Sequence, residues 1–260
     1  MSYILENKDE YNRLEFQAKQ SAYSIGDELR FLNLPSKAKI LDAGCGSGVA
    51  FKHLSEVFAL ESIYACDRSE LRLAQAKSSL PRHLESKVNF SNQDLNELDL
   101  TPDSLDAVIS RYVYEYLEDP YKVSSEFYKV LKPGGVCYLV DFDGIVFNLY
   151  SSNIKLNEYL LKFKNELKED YFVGRRLPDT LKKAGFKNIK WTAQVFSFQG
   201  ESLEEEIWNM EQRLELALPR MTEMLKSETK AREFKDLYLQ EMAVETNTLF
   251  YNKFITYGFK

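Results

Sequence analysis

Short apolar runs and amphipathic stretches alternate along the first 143 residues of this 260-residue chain. The runs are Lys39–Ala43, Ser62–Cys66, Val88–Phe90, Leu105–Ser110 and Val136–Val140. Each has the length of a strand and reads as buried in a sheet. Between them, Val49–Phe58, Glu70–Ser79 and Tyr121–Leu131 read as helices, the last closed by Lys132-Pro133-Gly134-Gly135. This alternation predicts an α/β fold with a doubly wound, mostly parallel sheet. Ahead of it, residues 3–33 read as a helical arm that could cover a ligand, with Leu14, Phe16, Ala18, Ala22, Ile25, Leu29 and Leu32 on its buried side. Pro35 and Ser36 end the arm.

Beyond residue 143 the pattern changes. Phe147, Leu149, Tyr150, Leu156, Leu160, Leu161 and Phe163 give an amphipathic helical stretch. A helix ending at Ala184-Gly185-Phe186 precedes a sixth strand over Asn188–Phe196. Residues 201–245 read as helices interrupted near Pro219 and near Ser227, and Thr248–Phe259 reads as a seventh strand. The expectation is one domain over 1–260. It comprises an arm (1–36), a ligand-binding core (37–143) and a half (144–260) with helical insertions at about 144–184 and 201–245.

The first strand leads into Gly44, Gly46 and Gly48, and then into a helix. Strand, glycine turn and helix form the first unit of a nucleotide-binding sheet. Glycines permit the tight turn and let backbone approach a ligand at the helix N-terminus. The third glycine comes one residue earlier than in the dinucleotide fingerprint G-x-G-x-x-G. Asp67 follows Gly48 by 19 positions, at the tip of the second strand. An acid there is placed to accept hydrogen bonds from ribose hydroxyls, although it could also cap the next helix.

The run Leu41-Asp42-Ala43-Gly44-Cys45-Gly46-Ser47-Gly48 closely resembles the first signature of class I S-adenosylmethionine-dependent methyltransferases. Asp106-Ala107-Val108-Ile109-Ser110 and Val130-Leu131-Lys132-Pro133-Gly134-Gly135 are similar to the fourth-strand and pre-fifth-strand signatures of the same family. The resemblance covers roughly residues 38–143. It implies a seven-stranded sheet with the last strand antiparallel, helical insertions that build a lid, and S-adenosyl-L-methionine as cofactor with S-adenosyl-L-homocysteine as product. It implies cofactor contacts at Asp42, Gly44, Cys45, Gly46, Gly48, Asp67, Arg68, Ser110 and Arg111. Within that frame Asp94 and the Leu95 N–H could read adenine, and Arg13 could pair with the carboxylate of the cofactor's amino-acid tail. A solvated loop carboxylate and a solvated helix face are the alternatives.

A sulfonium methyl donor is already activated, so neither a metal nor a covalent nucleophile is required, and proximity and orientation carry most of the rate. Tyr112, Tyr114 and Glu115, just past the fourth strand, are the candidate proton acceptors. Tyr112, Phe142, Phe147, Tyr150, Arg175 and Arg176 are the candidate substrate pocket, with core packing or solvated charge as the alternative for each.

Composition narrows the partners. A net charge of −6 argues against a general nucleic-acid binder. No stretch approaches a membrane span, and the N-terminus lacks a signal-peptide pattern. Cys45, Cys66 and Cys137 are odd in number and widely spaced, which suits reduced thiols in the cytoplasm, and no zinc site is expected. The 17 Phe, 16 Tyr and 2 Trp suit a large core or a roomy pocket. The reading is methyl transfer to a small molecule. The alternatives are transfer to tRNA or protein, or a protein that binds the cofactor without transfer. The oligomeric state is left open.

Overall fold

The structure is a computed structural model and describes residues 10–260, so the part of the expected arm at residues 3–9 lies outside the described residues. Eight strands form the sheet: β1 (Ala38–Ala43), β2 (Leu60–Asp67), β3 (Val88–Asn92), β4 (Leu105–Arg111), β5 (Leu131–Asp143), β6 (Leu149–Tyr150), β7 (Lys187–Ser197) and β8 (Thr248–Phe259). The order is β3-β2-β1-β4-β5-β8, with β7 on the far side of β8. The two-residue β6 pairs with β8 at Leu149–Leu249, just past the last β5–β8 pair at Asp143–Asn252, so it extends the track of β5. Strand β8 alone runs against the others: its partners β5, β6 and β7 all pair with it antiparallel.

Alternate residues of the central strands feed two cores. Ile40, Ile63, Ala107, Ile109 and Tyr138 face one side, with Phe51 and Leu54 of α3 (Val49–Val57) packed on them. Leu41, Cys66, Val108, Cys137 and Leu139 face the other, with Val123 and Phe127 of α5 (Pro120–Val130). Two further core helices complete the layers, α4 (Glu70–Ser79) and α7 (Leu177–Lys183). A third core lies over the ends of β5 and β8, where Phe142 and Tyr251 meet α6 (Ile154–Glu166), α8 (Glu201–Leu225) and α9 (Glu228–Met242).

Three expectations are corrected. The arm is not one helix: it is α1 (Glu10–Gln17), a 3-10 turn at Ser21–Tyr23 and the short α2 (Ile25–Glu28). Ser24 caps α2 by accepting from the Asp27 N–H, and the turn drives Tyr23 into the core, edge-on to Phe142. As a result Leu14, Phe16 and Ala18 are only half-buried, whereas Ala22, Ile25, Leu29 and Leu32 are buried. The stretch from Phe147 starts as turn and strand, with the helix beginning only at Ile154, capped by Asn153. Finally, α8 runs unbroken through Pro219, which is exposed. The backbone bond that a proline forgoes lies there on the wet side, while Leu214, Leu218, Met221 and Leu225 hold the buried face. The break comes at Lys226, in left-handed conformation, before Ser227 caps α9.

Candidate active site

The strand order reverses between β1 and β4, and a cavity of about 430 Å³ opens over their carboxyl ends. This is where open α/β sheets bind ligands, and the volume suits a small-molecule site. The glycine turn forms one wall. Gly44, Gly46 and Gly48 all have positive φ. A Cβ on Gly44 would lie 2.5 Å from Val113 Cγ2, and one on Gly48 would lie 2.6 Å from the Phe51 ring. On Gly46 it would meet nothing within 4 Å, because that residue faces open space. Gly44, Cys45, Gly46 and Ser47 line the cavity; Gly48 serves the turn as the N-cap of α3.

Asp67 ends β2 beside this loop. One carboxylate oxygen accepts from the Gly46 N–H at 2.8 Å and the other from the Ser69 N–H at 2.9 Å. Ser69 itself caps α4, so Asp67 braces the glycine loop rather than capping the helix. Asp42, next to the last residue of β1, is buried and leaves its Oδ2 without a hydrogen-bond partner. Burial pushes its carboxyl up to about 7, with Arg111 pulling it down and Asp67 adding to the rise. An orphaned buried oxygen on a cavity wall is the mark of a missing polar partner.

Asp94 and Leu95 line the far end, where Asp94 accepts from the Asn96 N–H and from its side-chain amide. Those bonds hold the Asp94 carboxyl below its ordinary range. Arg68 is at the exposed rim. Ser110 is buried and donates to the Ala43 carbonyl at 3.0 Å, tying β4 to β1 beneath the cavity rather than lining it.

Arg13, Tyr23, Arg111, Tyr112, Glu115 and Phe142 also line the cavity. Arg13 is committed within the arm: Nε and Nη2 each bond Glu10 at 2.6 Å, and Nη1 reaches Asn209 of α8 at 2.8 Å. Arg111 bonds Glu28 through Nε at 2.6 Å, and the Tyr112 hydroxyl also donates to Glu28. Lys253 of β8 joins the same carboxylate at 3.0 Å, fully buried. Tyr112 and Phe142 stack at 4.9 Å, with planes 9° apart. Glu115 is buried. Desolvation raises its carboxyl, while Arg213 and a hydrogen bond from Tyr116 oppose the rise.

Several expected site residues lie elsewhere. Tyr114 points into the core, its hydroxyl 2.8 Å from that of Ser124, so it is removed from the candidate proton acceptors. Phe147 lines a smaller neighbouring pocket. Tyr150 is 64% exposed on β6, outside the cavity. Arg175 chelates Asp143 and Arg176 pairs with Asp170, both mostly exposed and outside the cavity. Tyr150 thus sits at the surface, and Arg175 and Arg176 are each satisfied by a nearby carboxylate.

Sequence reasoning also missed residues that the fold brings in, among them Tyr23, Glu28 and Arg213. The last carried a signal. Glu206, Asn209 and Arg213 fall on the same stripe of α8 as Met210, Leu214 and Leu218, so polar groups interrupt an apolar face. There Tyr251 donates to Glu206 at 2.7 Å, and Asn209 meets Arg13.

Residues 41–139 match the family model described as a methyltransferase domain. Those residues make up a methyltransferase domain. The chain is 32% identical over 106 residues to a sterol 24-C-methyltransferase of Candida albicans, covering 40% of this chain and 28% of that protein. It is 27% identical over 179 residues to phosphoethanolamine N-methyltransferase 2 of Caenorhabditis elegans, covering 68% and 38%. The chain thus spans well under half of either relative. Among solved structures, the phosphoethanolamine N-methyltransferase 2 of Haemonchus contortus, in complex with phosphomonomethylethanolamine and S-adenosylhomocysteine, superposes with a TM-score of 0.59. That match has 20% identity and covers all of this chain and 60% of the other. It shows a shared fold. Among the described residues no helix is long and apolar enough to cross a membrane.

The cavity fits S-adenosylmethionine on its own terms. It offers an open glycine backbone at Gly46, a carboxylate braced at Asp67 and an unsatisfied oxygen at Asp42, all on one wall.

Proposed function

We propose that the protein is an S-adenosylmethionine-dependent methyltransferase acting on a small-molecule acceptor. The observation that carries this reading is the convergence of the glycine loop, Asp67 and Asp94 on one cavity that also holds the stacked rings Tyr112 and Phe142 and the buried Glu115. When bound, the cofactor supplies a methyl group whose leaving group is a neutral thioether. Gly44–Ser47 and Asp67 would hold its ribose and amino-acid portions, Asp94 and the Leu95 N–H its base, and Asp42 a polar group near the turn. Arg13 and Arg111, already paired with Glu10 and Glu28, hold the wall in shape.

On the acceptor side, Tyr23, Tyr112, Phe142 and Ile145 present an apolar, aromatic surface that excludes water and aligns the nucleophile. Glu115 is the proton acceptor. Its raised carboxyl brings it nearer neutrality, where a base is most effective. The helical insertions at 144–184 and 201–245 act as a lid over a single domain.

The deciding experiment offers labelled S-adenosylmethionine and the protein to metabolite, RNA and protein fractions. Label is expected in the metabolite fraction. Label confined to the macromolecular fractions rejects the acceptor class, and no label anywhere, with cofactor bound, rejects transfer.

A further inference from the structure

A second, apolar pocket of about 70 Å³ adjoins the cavity, and Tyr116 and Arg213 line both. Its walls come from the insertions: Phe147 follows β5, Phe163 lies on α6, and Leu214, Ala217, Met221 and Met224 lie on one face of α8. A packing void would be walled by fully buried side chains. Here Tyr116, Phe147, Leu167, Tyr171, Ala217 and Met224 all keep partial exposure, so the pocket is accessible. Two methionines in the wall add adjustable packing. Tyr116 connects the two spaces chemically as well, since it hydrogen-bonds Glu115 in the main cavity.

We propose that this annex binds a short apolar arm of the methyl acceptor, whose nucleophilic head lies at Glu115 and Tyr112. The proposal rests on the methyltransferase reading above and adds the substrate's shape: an amphipathic small molecule. The volume sets a limit. An apolar cavity of ~150 Å³ takes a benzene, so about half of that takes roughly three or four carbons. A sterol nucleus or a long acyl chain does not fit.

The test uses the whole protein saturated with S-adenosylhomocysteine and titrated, by calorimetry, with n-alkylamines and n-alkylcarboxylates from ethyl to octyl. Two head groups separate the contribution of the arm from that of the head. In at least one series, affinity is expected to rise about fourfold per added methylene and to level off near butyl. Ala217→Phe, which fills the annex from α8, is expected to abolish the rise while leaving S-adenosylhomocysteine affinity unchanged. Met224→Ala, which enlarges it, is expected to move the levelling point to a longer chain. Affinity independent of chain length in both series, with S-adenosylhomocysteine bound normally, overturns the annex and spares the methyltransferase reading. A rise that Ala217→Phe leaves intact also overturns it, because the gain then arises elsewhere. If S-adenosylhomocysteine does not bind the wild type, the underlying reading falls, and the annex with it.

Discussion

At the scale of single residues, the site is governed by carboxylates in different surroundings. Asp67 is half-buried and has two backbone N–H groups to hold. Asp67→Ala removes charge-assisted bonds worth about 1.5–3 kcal/mol each, so S-adenosylhomocysteine affinity should fall by roughly a hundredfold in calorimetry; an unchanged constant removes Asp67 from the ribose site. Asp42 behaves oppositely. Its folded carboxyl titrates near 7, above the ordinary value of 3.8, so the folded state holds the proton more tightly than the unfolded chain. Stability from this group is therefore complete below the ordinary value and is lost as pH rises towards and through 7. Asp42→Asn should flatten that decline when melting temperature is followed across pH, and identical slopes for the two proteins would disprove the assignment. For Glu115, a base works only when ionised, so turnover should climb with pH through its raised carboxyl value. Glu115→Gln should lower kcat by about 10²–10⁴ and remove that limb. A full rate in the variant would leave proton removal to solvent.

At the scale of elements, the glycine turn separates folding from binding. Gly44 needs its missing Cβ for packing, since the conflict is with Val113, a β-branched side chain with little freedom to yield. Gly46 needs it only for space above the backbone. Gly44→Ala should therefore lower the melting temperature markedly. Gly46→Ala should cost only the left-handed strain of about 1–2 kcal/mol yet weaken S-adenosylhomocysteine binding, because the new methyl stands where the ligand approaches. Equal melting temperatures for the two variants would refute this division. The glycine spacing and the acid 19 residues on were legible in the sequence because local backbone geometry dictates them. The course of α8 through Pro219 was not. A proline is a local signal, and the apolar stripe of Leu214, Leu218 and Met221 overrode it by packing on distant elements.

At the scale of the whole molecule, the arm is fastened to the sheet by buried charge. Glu28 of α2 meets Arg111 and Tyr112 at the end of β4 and Lys253 on β8, and the Tyr138 hydroxyl donates to the Glu28 carbonyl at 2.6 Å. Burial lowers the Lys253 ammonium, and Glu28 is the charge that resists this. Removing one member of a buried set leaves the others uncompensated. Glu28→Ala should cost about 3–5 kcal/mol in urea unfolding and loosen the cavity wall. A loss below about 1 kcal/mol would mean that the network carries little of the arm's attachment.

The chain's order of residues determined, by itself, the five parallel core strands, the helices between them, the glycine turn and the acids at the strand tips. Each of these depends on neighbours in sequence: burial on both faces, helix stops, backbone angles that only glycine takes freely. Tertiary structure decided the rest. It turned Tyr114 into the core and Glu115 into the cavity, although the two are adjacent. It sent Arg175 to Asp143 and brought Arg213 from a helix a hundred residues away to the edge of the site. Which way a side chain faces past the end of a strand depends on what packs there, and those partners come from insertions whose docking no local pattern encodes.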